Sequence, residues 1–270
     1  MRPHILEGFF NVIKKLFSAI EPFFTFHIIL LDVKPSLILL QHFFHAGGAV
    51  NVRNLLLFLG ALAVLYFGLV MTGEVVPYFQ FQYAMGFLGT KTDAVLQQPA
   101  FQWAFYIHIS SSLVVIFAGL LQFIPIIWRK YKAVHRNTGK LYILFILILA
   151  APSGAVLGWY ANAGLPARVA FLMQSIVWWA VTAAAWGEIA RQRLLPHVNM
   201  MIRSFAVTLA AMSLRTESYF MFYFLGTKPM ETYITVSWLS WTGNLLLAET
   251  LIYLGLGRRM LALFNPSKQG

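Results

Sequence analysis

The chain has 270 residues, of which 59% are hydrophobic and 11% are charged, and its formal net charge is +11. These proportions exclude a soluble domain of this size, because too few polar residues remain to cover its surface. Since the sequence contains no cysteine, disulfides, thiolate catalysis and cysteine metal sites are excluded as well.

The N-terminal segment, residues 1–54, is predicted to lie on the cytoplasmic membrane surface. Apolar residues recur every three to four positions over 5–20, and lysines occupy the opposite side, which is the pattern of an amphipathic helix. A helix with lysines on one face and phenylalanines on the other is expected to lie in the lipid interface. Pro22 ends it, and the apolar stretches 23–31 and 37–44 are too short to span a bilayer.

Six apolar runs between residues 55 and 255 predict the membrane domain. Each is close to the roughly 20 residues that an α-helix needs to cross a bilayer. They cover residues 55–73, 104–127, 141–161, 169–187, 204–225 and 232–255. The fold prediction is therefore an all-α integral membrane protein, a six-transmembrane helix bundle with a core of spans two to five. Residues 256–270 are predicted to form a basic cytoplasmic tail, and the long connection 74–103 a lid or an interfacial helix.

Basic residues are distributed very unevenly among the connections. Five precede the first run, five lie in the second connection, three in the fourth and three in the C-terminal tail, which accounts for 16 of the 20. The other connections contain only Lys91, Arg168 and Lys228. Because positive charge concentrates in short cytoplasmic connections, both termini are predicted to be cytoplasmic. Charge spread over four juxtamembrane sites predicts contact with anionic headgroups and tells against nucleic acid as a partner.

Polar residues within the runs form two seams with helical spacing. Such residues are costly in a membrane, so by default they indicate a functional site. The seam on the second span consists of His108, Ser112, Gly119 and Gln122. The seam along the fifth span and the residues leading into it consists of His197, Met201, Ser204, Thr208 and Arg215. Each set stays within a narrow angle at 100° per residue. Two helices are therefore predicted to present polar side chains to the inside of the bundle.

Topology sorts these residues by depth into two clusters. His108 and Arg215 are predicted to lie near the outer face, level with Met173. His135 and His197 are predicted to lie at the cytoplasmic face beside Arg136, Lys140 and Arg203. Two histidines at one depth on alternate helices suit axial ligation of the iron of a haem b. Gly139 would leave room for the macrocycle, and the cations would neutralise its propionates. Headgroup contact by these same side chains is the structural alternative.

Three segments occur in order within residues 104–225, namely FYIHISSSLVVIFAGLLQFIPIIW, HRNTGKLY and HVNMMIRSFAVTLAAMSLR. Together they resemble a family of bacterial membrane proteins, the domain-of-unknown-function family 2306. The family's motif positions correspond here to His108, Gln122, His135, Arg136, Gly139, Tyr142, Trp178, His197, Arg203 and Arg215. Lys140 replaces the usual arginine, and Asn199 stands where an aromatic residue is usual. The resemblance implies a multi-pass protein of the bacterial inner membrane.

A more distant similarity of architecture is to di-haem cytochromes b of the ascorbate and ferric reductase type. In these, histidines pair between the third and fifth spans, as His135 and His197 would here, and between the second and fourth. The fourth run contains no histidine, unless Met173 pairs with His108. This similarity is one of architecture and implies no more than a hypothesis.

Three functional hypotheses follow from the sequence. The first is a haem-b redox protein that exchanges electrons with a quinol or a membrane redox partner. The second is a transporter of a small molecule or anion, or a lipophilic-ligand binder. Its path would be lined by Arg215, Gln122, Ser112, Tyr142, Trp178 and Glu249. The third is a non-catalytic accessory subunit of a membrane complex, whose polar seams only hold helices together.

Overall fold

The computed structural model describes residues 52–80 and 86–264. The predicted amphipathic helix at 5–20 and the end of the basic tail lie outside these residues. The chain divides into two units, Met1–Leu59 and Gly60–Gly270. Of the first, only residues 52–59 are described, and they belong to one helix. The architecture that follows is that of the second unit.

The described residues are helical and contain no strand. Their α-helices are α1 Val52–Val75, α2 Asp93–Leu96, α3 Pro99–Gln122, α4 Pro125–Lys130, α5 Lys132–Phe145, α6 Ala151–Trp159, α7 Leu165–Ala190, α8 Leu194–Thr208, α9 Ala210–Phe224, α10 Pro229–Tyr253 and α11 Leu256–Phe264. Proline occupies the first turn of α3, α4, α7 and α10, where its missing N–H costs no hydrogen bond. The all-α prediction is therefore confirmed for the described residues.

Helices α5 and α6 form one continuous rod of 28 residues, Lys132–Trp159. They are joined by a π-helical turn over Ile146–Ala150. Pro152, in the first turn of α6, has no N–H to donate to the turn before it. A π-turn accommodates one extra residue in such a place without ending the helix.

Four segments are long and apolar enough to cross a membrane: Phe58–Phe79, Pro99–Gln122, Lys132–Trp159 and Leu165–Ala190. Helices α8 and α9 make a fifth if they count as one span, because they meet at a bend of 43° around Leu209. Helix α10 has 25 residues but is more polar, and it does not meet the same criterion. The structure thus supports four or five of the six predicted spans among the described residues.

The main core is built by the predicted spans two to five. Its buried side chains come from α3, α5, the π-turn, α6, α7 and α8, and include Val115, Tyr142, Ile146, Trp178 and Val207. Helix α10 packs against α7, α8 and α9. Burying these side chains brings the polar residues of four helices into the same interior, where each must find a hydrogen-bond partner.

In the connection between α1 and α3, the described residues 76–80 and 86–98 form short turns and the four-residue helix α2, and thus no long interfacial helix. Its Leu88 side chain is buried with Phe101 and Phe105 of α3. The connection is therefore anchored on the apolar end of α3.

Lys91 links this connection to the turn between α6 and α7 by hydrogen bonds. Its Nζ donates to the carbonyl oxygen of Tyr160 at 2.8 Å and to Oδ1 of Asn162 at 2.9 Å. The ammonium also lies 4.7 Å from the centroid of the Phe87 ring, and the residue is only 9% exposed. Burial, followed by the positive charge of Arg168, lowers the pKa of Lys91 to about 8.

Candidate functional site

The predicted inner cluster is held by side chains from α3, α5 and α8 and by the backbone of α7. Nδ1 of His197 donates to the carbonyl oxygen of Ala185 at 2.8 Å. The amide of Gln122 is best satisfied with its nitrogen facing Nδ1 of His135, at 3.0 Å, and its oxygen facing the Gly139 N–H at 3.2 Å. His135 lies in the first turn of α5, His197 in the first turn of α8, and Ala185 in the last turns of α7. The structure therefore brings these two histidines to the same end of the core.

This cluster satisfies only part of what a haem would need. A histidine that donates Nδ1–H to a backbone carbonyl, as His197 does, presents Nε2 in the way that ligating histidines do. The space beside Gly139, which was predicted to receive a macrocycle, is instead occupied by the Gln122 amide, because an added Cβ would lie 3.0 Å from one of the two terminal atoms of that amide.

Arg203 is not available to neutralise a propionate, because it is already paired. Its guanidinium binds both carboxylate oxygens of Glu249 on α10, with 2.8 Å between Nη2 and Oε2. Two parallel hydrogen bonds of this kind fix both side chains. Glu249 was predicted to line a path, and the structure places it in this ion pair at the edge of α8 and α10. Arg136, by contrast, is exposed.

The centre of the core contains a closed network of hydrogen bonds. The Tyr142 hydroxyl lies 2.9 Å from both Ser204 Oγ and Thr208 Oγ1. Trp178 Nε1 donates to Thr208 Oγ1 at 3.2 Å, and Thr182 Oγ1 lies 2.7 Å from Ser204 Oγ. All five side chains are buried. Because their polar groups satisfy one another, Tyr142 and Trp178 join helices here and do not line an open path.

His108 occupies a gap between α3 and α6. Its Nδ1 donates to the carbonyl oxygen of Ala150, at the end of the π-turn, over 2.9 Å. Gly154 makes room for the ring, since a Cβ there would lie 3.0 Å from the imidazole Cε1. Met173, the predicted partner of His108, is 40% exposed, and Ser112 has a buried hydroxyl without a partner among the described residues.

Arg215 does not continue the straight stripe that the fifth span was predicted to carry. The 43° bend at Leu209 places Arg215 on α9, whereas the rest of the stripe is on α8. Its guanidinium donates to the Ala211 carbonyl oxygen at 2.9 Å and lies 6.0 Å from the Phe67 ring centroid of α1. Its contacts and those of His108 thus involve different helices, and a joint outer site stays a prediction.

Beside the bend in the fifth span lies a cavity, open on one side, that sequence reasoning missed. It has a volume of about 300 Å³ and is lined by Leu209, Met212, Ser213, Thr216, Glu217 and Asn244. Asn244 of α10 donates to the Ala206 carbonyl oxygen, in the last turn before the bend, at 3.1 Å, and accepts from Ser213 Oγ at 2.9 Å. Oε2 of Glu217 is buried and has no hydrogen-bond partner among the described residues.

The only sequence signal for this cavity was the presence of Asn244, Ser213 and Glu217 in apolar runs. None of these residues belongs to the two predicted seams. The bend itself has no signal, because residues 208–210 include neither glycine nor proline. A straight fifth helix would have carried Glu217 as an isolated carboxylate.

Comparison with protein families gives one match. The family model described as "Predicted membrane protein (DUF2306)" matches residues 105–252, more than half of the chain. Curated proteins and solved structures gave no match. The match covers α10 as well as the segments that carry the sequence resemblance, whereas nothing in the comparisons supports the similarity to di-haem cytochromes b.

Proposed function

The chain belongs to the DUF2306 family of predicted membrane proteins, and we propose that it binds a small molecule within the membrane, as a carrier or a lipophilic-ligand binder. The observation that carries this proposal is the cavity beside the bent fifth span, with the buried carboxylate oxygen of Glu217 at its wall. Polar groups at such a depth are expensive and mark ligand sites in membrane proteins.

The geometry of the bend resembles a recurring way of building binding sites in membranes. Helices interrupted within the bilayer are tolerated where neighbouring side chains satisfy the backbone and where the interruption lines a cavity. Asn244 supplies this backbone contact here by donating to Ala206. The volume of about 300 Å³ lies at the small end of the range of ligand pockets.

We propose further that α10 is the sixth span and that both termini are cytoplasmic, in a bacterial inner membrane. A helix of 25 residues is about 37 Å long, enough to cross the hydrocarbon. Its Ser237 and Ser240 side chains are fully buried, whereas Leu246 and Leu247 are exposed. A helix that hides its polar residues and exposes leucine suits a lipid surface.

Reporter fusions test this topology. Fusions after Arg168 and Lys228 are expected to report the outside, and a fusion after Arg193 the cytoplasm, because of the distribution of basic residues. A cytoplasmic signal after Arg168 or Lys228 would show that the orientation is wrong.

Binding is tested by filling the cavity. In Thr216→Phe an aromatic ring enters a position that lines the cavity, and Thr250→Phe is a matched control, since each hydroxyl bonds only to the carbonyl four residues earlier, that of Met212 or Leu246. The probe is radiolabelled 4-phenylbutan-1-ol with the protein in lipid nanodiscs. Saturable binding is expected in the native protein and the control and is expected to be lost in Thr216→Phe. If filling the cavity leaves saturable binding unchanged, the cavity is not the site.

A haem b between His135 and His197 is the second candidate. It is favoured by one observation, the hydrogen bond from His197 Nδ1 to the Ala185 carbonyl, which is how ligating histidines are commonly oriented. Protein purified after expression with ample haem would then show a Soret band that His197→Ala abolishes. If no such band is seen, the redox function and its quinol partner are excluded. If saturable binding of the probe is absent as well, the accessory-subunit hypothesis becomes the best supported of the three.

A further inference from the structure

We infer that the occupant of the cavity is a primary ammonium ion with a short apolar tail, bound through Glu217. The inference rests on the proposed function and specifies the class of its ligand. It follows from three properties of the cavity: its charge, the hydrogen bonds its walls leave unmade, and its apolar remainder.

The charge of the cavity is negative and uncompensated by the described side chains. Glu217 lines it, and its Oε2 is buried without a partner. Arg215 stands two residues away and so projects from a different face of α9, where it donates to Ala211. Arg203 is bound to Glu249. A carboxylate with one oxygen shielded from water and no counter-charge is costly, so a cation in the cavity would lower the free energy of the complex.

The polar groups of the wall need more hydrogen-bond donors than they offer. Asn244 uses one N–H of its amide on Ala206, and Ser213 uses its hydroxyl hydrogen on Asn244. Thr216 donates its hydrogen to the carbonyl oxygen of Met212. One N–H of Asn244 is left unused, and the larger unused capacity is that of acceptors, namely the lone pairs of Thr216 Oγ1 and Asn244 Oδ1 together with Glu217 Oε2. An ammonium group brings three N–H donors and no acceptor, which matches this wall.

The remaining wall, Leu209 and Met212, is apolar. A volume of about 300 Å³ has room for an alkyl or aryl tail beside the ammonium group. A quaternary ammonium would satisfy the charge but not the acceptors, and an alcohol would satisfy one acceptor but not the charge. The primary amine is the class that satisfies both.

The test compares two probes of equal length, 4-phenylbutylamine and 4-phenylbutan-1-ol, in the native protein in nanodiscs at pH 7. The amine is protonated at this pH, like a lysine side chain. We expect it to bind at least about tenfold more tightly than the alcohol, because hydrogen bonds to a buried charged group exceed neutral ones. Glu217→Gln is expected to abolish this preference while alcohol binding persists, which also shows that the variant is folded.

Glu231→Gln is the matched control. Glu231 is exposed at the start of α10, where it accepts from the backbone N–H of Lys228, and glutamine can make the same bond. The preference for the amine should survive in this variant. If the two probes bind equally, and both are lost in Thr216→Phe, the ammonium assignment is refuted while the proposed function stands. If neither probe binds saturably, both are refuted.

Discussion

Replacing Lys91 by methionine should remove a pH dependence from the stability of the protein. The side chain has a pKa of about 8 in the folded state, against an ordinary value of 10.5, because it is buried and close to Arg168. Between these two values the unfolded state binds more protons than the folded state. Stability must therefore rise with pH through this window, from about pH 8 to about 10.5, and the penalty is fully present below it.

The size of the effect follows from the same two values. A difference between 10.5 and about 8 corresponds to at most about 3 kcal/mol. Solvent screening at the water-facing end of the bundle reduces this, and we expect about 1 to 2 kcal/mol. At pH 7 the substitution also removes the hydrogen bonds to Tyr160 and Asn162, so its effect on the free energy of unfolding at a single pH does not test the pKa. The change in that effect between two pH values does test it.

The measurement is unfolding in mixed micelles at pH 7.5 and 10.5. The free energy of unfolding of the native protein, minus that of Lys91→Met, should increase by about 1 to 2 kcal/mol between them. Lys228→Met, at an exposed lysine in the connection between α9 and α10, controls for general effects of alkali. Identical pH dependence in the native protein and Lys91→Met would refute the reasoning.

Three further predictions concern packing and pairing. Gly119→Ala should lower the free energy of unfolding by about 1–3 kcal/mol, because its Cβ would lie 2.7 Å from a ring carbon of Phe205. Gly187→Ala is the control: a Cβ there would have nothing within 4 Å, so this variant should be neutral or stabilising. The two variants are compared by their thermal unfolding midpoints. Tyr142→Phe should cost about 1–2 kcal/mol without loss of helical circular dichroism, since two buried hydroxyls lose a partner. Glu249→Gln should cost less than about 1 kcal/mol, and less still in high salt, because the pair is partly exposed.

The predicted apolar runs correspond to described helices because composition alone decides which segments can enter a membrane. Each of the six runs overlaps a helix or a pair of helices, from α1 to α10. The shared end of His135 and His197 likewise follows from counting depth along the spans. Periodicity also predicted that Ser204 and Thr208 face inward, and both are buried.

The features that sequence reasoning missed depend on contacts between distant residues. The bend at Leu209 is accompanied by a hydrogen bond from Asn244, 38 positions away from Ala206. A helical wheel assumes a straight axis, so it placed Arg215 in line with residues of another helix. The lack of a side chain at Gly139 does leave space in the inner cluster, as predicted. The residue that fills this space, Gln122, comes from α3, and nothing near Gly139 in the sequence indicates it. Contacts between residues so far apart leave no periodic pattern and no local composition in the sequence from which they could be predicted.

The π-turn makes the third span sensitive to sequence length. Its extra residue rotates everything that follows by about 100° relative to an uninterrupted α-helix. Deleting one residue from 146–150 would restore the α-helix but turn Gly154 away from His108 if Tyr142 kept its place. A relative that lacks this residue can therefore keep either the hydroxyl network around Tyr142 or the contact between Gly154 and His108, but not both. Sequence alignments of this span should therefore place the one-residue gap within 146–150.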